Sequence, residues 1–216
     1  NFRNSIAIYI NKNTNISTQE SGNQLRKSLL TKAFNSHAEG DLLNAEEYYK
    51  AFINKGFTDA RVLSNYGTIC KQKGKTDKAI KLYRKCIYLF PYAAEAYSNL
   101  GNILKDEGQL EEAEGLIRKA ISLNPYLADA FSNLGNILTE QEKYNEAESE
   151  QRKAIALNPN FSIAHSNLGI ILRIQGKIEE AVLHTKKAIE LQPNFAEAYF
   201  NLSILEYINN KTISSL

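Results

Sequence analysis

The chain has 216 residues, 43% of them hydrophobic, and its 26 lysines and arginines nearly balance 24 aspartates and glutamates, leaving a net charge of +2. The charges are well mixed, with acidic runs such as Asp106-Glu107 and Glu111-Glu112 and no basic stripe interleaved with aromatics, which argues against a nucleic-acid partner. No apolar segment approaches the length of a membrane span.

Residues 1–25 are rich in Asn, Ser and Thr and lack helical periodicity, so a largely disordered leader is expected there. Within it, Ile6-Ala7-Ile8-Tyr9-Ile10 fits a short strand or a docking segment and is too short for a signal-peptide core. The first residue is Asn1 and not Met, consistent with removal of an upstream segment.

From Arg26 onward the chain repeats itself. Pro91, Pro125, Pro159 and Pro193 recur every 34 residues, and a fixed period of this length is the signature of a stacked solenoid. Units begin at Ala60, Ala94, Ala128, Ser162 and Ala196. Their eighth place holds Gly67, Gly101, Gly135, Gly169 and finally Ser203, and their twentieth holds Ala79, Ala113, Ala147 and Ala181. A weaker copy near Arg26 aligns Ala33, Gly40, Ala45 and Tyr49 with later units but has Phe57 where they have proline. The expected organisation is a leader (1–25), a repeat array (26–209) whose sixth unit stops after one helix, and a short tail (210–216).

Each unit reads as two helices. Tyr97, Leu100, Gly101 and Leu104 share one helical face, Gly108 ends that helix, and Leu110, Ala113, Ile117, Ala120 and Ile121 mark the inner face of a second. Asn124-Pro125 stops the second helix, because proline lacks an amide donor and restricts the residue before it. Neither face can be buried alone; stacked pairs share one continuous core.

Tyr97-Ser98-Asn99-Leu100-Gly101-Asn102 and Leu110-Glu111-Glu112-Ala113-Glu114 resemble the tetratricopeptide-repeat family. The resemblance implies an all-α, right-handed superhelical solenoid whose concave wall is built from the first helix of each pair. It also implies an interaction module that binds protein or peptide, without a cofactor.

The sixth place of successive units is Asn65, Asn99, Asn133, Asn167 and Asn201, with Asn102 and Asn136 adding amides at the ninth. Asparagine is a weak helix former, whereas its side-chain amide both donates and accepts, so a row of them could hold the backbone of an extended polypeptide. This ladder resembles the repeat region of O-linked N-acetylglucosamine transferases, where asparagines hold extended peptide in the groove. The alternative is that these amides bond to neighbouring helices. The family's two-carboxylate clamp is not expected, because the fifth place is Ser64, Ser98, Ser132 or Ser166 and the second is Glu95, Asp129 or Glu197. Towards the C-terminus the groove places become Ile163, Ile170, Ile174, Phe200, Ile204 and Ile208, an apolar run expected to be a contact site for a partner or a second copy, unless the tail folds over it.

No catalytic constellation is evident, and a non-enzymatic protein is expected. His37, His165 and His184 fall at unrelated places, and no pair has metal-ligand spacing on one helix face. His165 stands where Tyr97 and Phe131 stand in other units and reads as a partly buried aromatic substitute. Cys70 and Cys86 occupy places held by Leu and Ala elsewhere, which predicts two reduced, buried thiols and suits a cytoplasmic setting. The expected function is therefore a scaffold that binds an extended polypeptide through the asparagine ladder. Two other readings stand beside it: the targeting part or partner subunit of a glycosyltransferase or other modifying enzyme, and an oligomerisation unit.

Overall fold

The computed structural model describes the backbone of residues 2–214 and the side chains of residues 20–209. Among the described residues it holds eleven α-helices and no strand. They fall into two compact units, Asn1–Leu89 and Phe90–Leu216. The first contains α1 (Phe2–Ala38), α2 (Leu42–Asn54), α3 (Ala60–Gln72) and α4 (Thr76–Leu89). The second contains α5 (Ala94–Asp106), α6 (Leu110–Leu123), α7 (Ala128–Glu140), α8 (Tyr144–Leu157), α9 (Ser162–Ile174), α10 (Ile178–Leu191) and α11 (Ala196–Ser214). Five helices begin at the residues that open the sequence repeats: Ala60, Ala94, Ala128, Ser162 and Ala196.

Two expectations differ from this architecture. The backbone is helical from Phe2, including the Ile6–Ile10 run read as a strand or docking segment. Residues 2–38 hold no proline and only Gly22 among glycines, so nothing in them breaks a helix that α2 supports at its C-terminal end. Likewise α11 continues as helix to Ser214, so among the described residues no separate tail turns back over residues 196–209.

Local chemistry sets the helix ends. Asp41 and Asp59 cap α2 and α3, each side chain accepting from a backbone N–H of the first turn (Asn44 at 3.1 Å and Arg61 at 3.0 Å). The fifteenth repeat place ends each first helix in the left-handed region: Gly74, Gly108 and Gly176 have φ of 70°, 77° and 77°. Glu142 takes that place in the third of these turns with φ 62°, at a conformational cost of roughly 1 kcal/mol. The same pair of closing bonds forms there regardless, with Glu142 N–H donating to Thr139 O at 3.0 Å and Lys143 N–H to Leu138 O at 2.8 Å. Before each of the last three prolines, Asn124, Asn158 and Gln192 are extended, with φ near −139°.

In the second unit α5–α6, α7–α8 and α9–α10 pack as antiparallel pairs. Each pair crosses closely where the eighth place meets the twenty-fourth. A Cβ on Gly101 would lie 2.8 Å from Ile117 and 3.1 Å from Ala113 O; on Gly135, 2.7 Å from Gln151 Nε2. The core beside this crossing is one repeated set: Leu100, Ile103 and Leu104; Leu134, Ile137 and Leu138; Leu168, Ile171 and Leu172. Fully burying each such side chain contributes about 1.5–3 kcal/mol. First helices also touch the next first helix along (α5–α7, α7–α9, α9–α11), and no comparable packing joins the second helices among the described residues. The first helices therefore form the inner, more crowded wall of this unit.

In the first unit Glu46 is buried, 2.7 Å from Lys50 and 2.5 Å from Lys73. The hydrogen bonds from Lys50 and then Lys73 pull its pKa down to about 2. Cys70 and Cys86 are buried and not joined to each other, and burial pushes the Cys70 thiol up.

His165 and His184 fall at unrelated repeat places, yet the α9–α10 pairing stacks their rings, with Nδ1 atoms 2.9 Å apart. His165 is 6% exposed, as expected of an aromatic substitute. Its Nε2 lies 3.2 Å from Pro159 O, which can only accept, so this nitrogen carries a proton and Nδ1 accepts from His184. Burial lowers both pKa values, and His165, Arg152 and Glu180 face His184, the first two lowering its pKa further and Glu180 opposing.

Two outcomes follow for stability. Gly169→Ala places a Cβ in overlap with the buried Thr185 hydroxyl and 3.3 Å from Ala181 O, so it is expected to cost about 1–3 kcal/mol in urea unfolding. Gly115→Ala, exposed in mid-α6 with nothing within 4 Å, is expected to gain about 0.5–1 kcal/mol. The histidine pair makes stability depend on pH. The unfolded chain takes up protons near the ordinary histidine value of 6.5 while the folded pair resists, so stability is held above that pH and falls as the pH drops through it. His165→Phe/His184→Leu, matching residues of other repeats, is expected to flatten the urea midpoint between about pH 7 and pH 5.

Candidate functional site: the inner wall of the second unit

The inner wall is built from α5, α7 and α9, and the sixth and ninth places lie one helical turn apart on each. Asn99, Asn102 and Asn133 line a depression of ≈ 320 Å³ together with Glu95, Asp129, Leu127, Phe161 and Ile163. Asn136 and Asn167 line a second, of ≈ 190 Å³, with Lys105, Thr139, Glu140 and Ile170. Five of the seven candidate asparagines thus meet open space on one wall.

Their hydrogen bonds divide them further. Asn133 Nδ2 donates to Ser98 Oγ and Asn167 Nδ2 to Ser132 Oγ, both at 3.5 Å, each reaching back to the preceding first helix. These serines are nearly buried, at 4% and 2% exposure, and act as inter-repeat acceptors where they line the larger depression. One N–H of each amide is spent in this way and the carbonyl oxygen stays open. Asn99 and Asn102 make no hydrogen bond among the described residues.

The ends of the ladder behave differently. Asn201 is only 3% exposed; its Nδ2 donates to Thr185 Oγ1 at 2.9 Å and its Oδ1 accepts from Arg173 Nε at 3.0 Å. It is drawn out of the groove because Thr185 and Arg173 engage both ends of its amide. Asn65 lies in the first unit, where it donates to Tyr49 OH at 3.3 Å, beside the 2.9 Å contact of that hydroxyl with His37. The apolar residues are also divided: Ile163 and Ile170 belong to the two depressions, Ile174 and Phe200 are exposed at 44% and 69%, and Ile204 and Ile208 are half-buried.

Three further residues, Gln151, Leu127 and Phe161, contribute to the wall without being marked by the repeat pattern. Gln151, fully buried, donates from Nε2 to Ser132 O at 3.0 Å and to Asn136 Oδ1 at 2.9 Å. This turns the Asn136 amide so that its NH2 faces away from α8. The signal was present, since Gln151 is a polar residue at the crossing place held elsewhere by Tyr83, Ile117 and Thr185. Leu127 and Phe161, the last residues before α7 and α9, form the apolar rim of the larger depression.

Among the described residues, no group of three or more His, Cys, Asp or Glu could hold a metal ion, and no helix is long and apolar enough to cross a membrane.

Known proteins share this architecture. Profiles described as tetratricopeptide repeat match residues 92–160 and 162–195, and one described as TPR repeat matches residues 67–108, more than half of the chain together. The uncharacterized protein YgeG of Escherichia coli (strain K12) is 33% identical over 60 residues, which are 28% of this chain and 37% of that protein's length. The crystal structure of MamA protein is similar with a TM-score of 0.60 and 25% identity, over 80% of this chain and 94% of that one. YrrB, described as a TPR protein with an unusual peptide-binding site, gives a TM-score of 0.60 and 25% identity over 77% of this chain and 86% of its own. Repeat period, helix pairing and these matches agree: the chain belongs to the tetratricopeptide-repeat family.

Proposed function

We propose that this protein is a non-enzymatic interaction module that holds an extended polypeptide against the wall formed by α5, α7 and α9. The observation that carries the reading is the placement of Asn99, Asn102, Asn133, Asn136 and Asn167 around two neighbouring depressions with amide groups to spare. A peptide unit offers one N–H and one C=O, and a side-chain amide matches both. Asn133 and Asn167 contribute open carbonyl oxygens and Asn136 an open NH2, so the wall offers acceptors and donors in fixed orientation. Orientation fixed before binding lowers the ordering cost, although ordering a flexible peptide still keeps affinity modest. The peptide-binding site named for YrrB supports the same reading.

Asn99 and Asn102 give the cleanest test, because neither is used to hold the fold. Peptides selected from a displayed random library on the intact chain are expected to bind Asn99→Ala/Asn102→Ala at least tenfold more weakly, with an unchanged melting curve. Asn201→Ala is expected to do the opposite, costing about 1–3 kcal/mol of stability through its unpaired buried neighbours while keeping peptide affinity. Equal binding by the intact chain and Asn99→Ala/Asn102→Ala would overturn the reading.

A further inference from the structure

The larger depression carries a chemical bias that backbone recognition does not require. Its charged lining residues are Glu95 and Asp129, both exposed and without an ion pair among the described residues. The nearby Lys105 is engaged elsewhere, 2.8 Å from Asp106 and 3.7 Å from Glu140, beside the smaller depression. Asn133 adds a carbonyl oxygen, because one of its N–H groups is spent on Ser98. Leu127, Phe161 and Ile163 form an apolar flank, and Ser98, Asn99, Asn102 and Ser132 complete the lining with neutral polar groups. Acceptors and negative charge therefore sit beside a hydrophobic flank in a cavity of ≈ 320 Å³.

Resting on the reading above, we propose that this depression selects a basic side chain, arginine or lysine, of the bound polypeptide. Such a side chain matches both halves of the site: its aliphatic stem covers apolar surface and its cationic head seeks several acceptors. Guanidinium suits the arrangement best, since its five N–H donors can address two carboxylates and an amide oxygen together. The acidic pair is also local. The second repeat place is acidic in Glu95, Asp129 and Glu197 but not in Arg61 or Ile163, and of the three carboxylates only Glu95 and Asp129 stand on adjacent repeats and line this depression. Carboxylates in the first turn also favour the helix N-terminus, and that role must be separated from ligand selection.

Displayed random peptides selected on the intact chain are expected to carry an arginine or lysine at one position. Replacing that residue by citrulline, the uncharged analogue of arginine, is expected to weaken binding about tenfold, and high salt is expected to erase the difference. Glu95→Gln/Asp129→Asn is expected to lose the same factor against the arginine peptide and nothing against the citrulline peptide. If the two carboxylates serve only their helices, this variant melts earlier and keeps its arginine preference, which overturns the proposal. Selection of peptides lacking a basic residue, yet still dependent on Asn99 and Asn102, also overturns it and leaves groove binding intact. Peptides that bind Asn99→Ala/Asn102→Ala as well as the intact chain overturn the groove reading and this inference with it.

Discussion

Everything on the inner wall depends on how closely the two helices of a repeat approach at the eighth place. A side chain there meets the partner helix within 3 Å in four successive repeats, from Gly67 through Gly169. Glycine is costly in the middle of a helix, by roughly 1 kcal/mol against alanine, so its recurrence reflects packing and not propensity. The close crossing brings the small Ala113, Ala147 and Ala181 of the second helices against the first helices and leaves them fully buried. Within the second unit it also lets each first helix touch the next, as α5, α7, α9 and α11 do in turn. A ladder with one amide per repeat is possible only on a wall packed this regularly.

The residue facing that glycine is where the repeats differ. Tyr83, Ile117, Gln151 and Thr185 fill the same place with four different chemistries. Ile117 completes an apolar core, while Thr185 accepts from Asn201 and draws it inside. Gln151 is buried with Oε1 unpaired, an arrangement costing about 1–3 kcal/mol. Its two donated bonds offset part of that cost and fix Asn136 at the edge of the smaller depression. A core position thus sets the state of a surface amide one layer away.

Much of this was legible in the sequence because it is periodic. Helix starts, the left-handed turns and the proline stops recur at fixed places, and each has a local physical cause. Glu142 shows the strength of the pattern, since the turn forms with φ 62° at a residue that does not favour it. What was not legible depends on side-chain reach between helices. Nothing local distinguishes Asn201 from Asn167; the difference lies in Arg173 and Thr185, which meet it only after α9, α10 and α11 pack. The His165–His184 stack is hidden for the same reason, as the two residues are 19 apart and meet only across the helix pair. The leader lacked periodicity, so composition alone spoke for it, and composition weighs ordering poorly against a helix anchored at one end.

The proposed binding role of the asparagines on the wall does not compete with their bonds between repeats. An amide has two N–H donors and an oxygen with two lone pairs, four bonding opportunities in all. Joining Asn133 to Ser98, or Asn167 to Ser132, uses one of them and fixes the direction of the others. The bond between repeats is long, at 3.5 Å, so its contribution to stability is small. Its larger consequence is orientation, because a side chain held at one atom loses less entropy when a second atom is engaged. An asparagine buried and bonded at both ends, like Asn201, contributes only stability, and one without a hydrogen bond among the described residues, like Asn99, would have to be ordered by the proposed ligand. On the proposed reading, the half-engaged state between them is the one in which a single bond both joins repeats and orients a group towards the ligand.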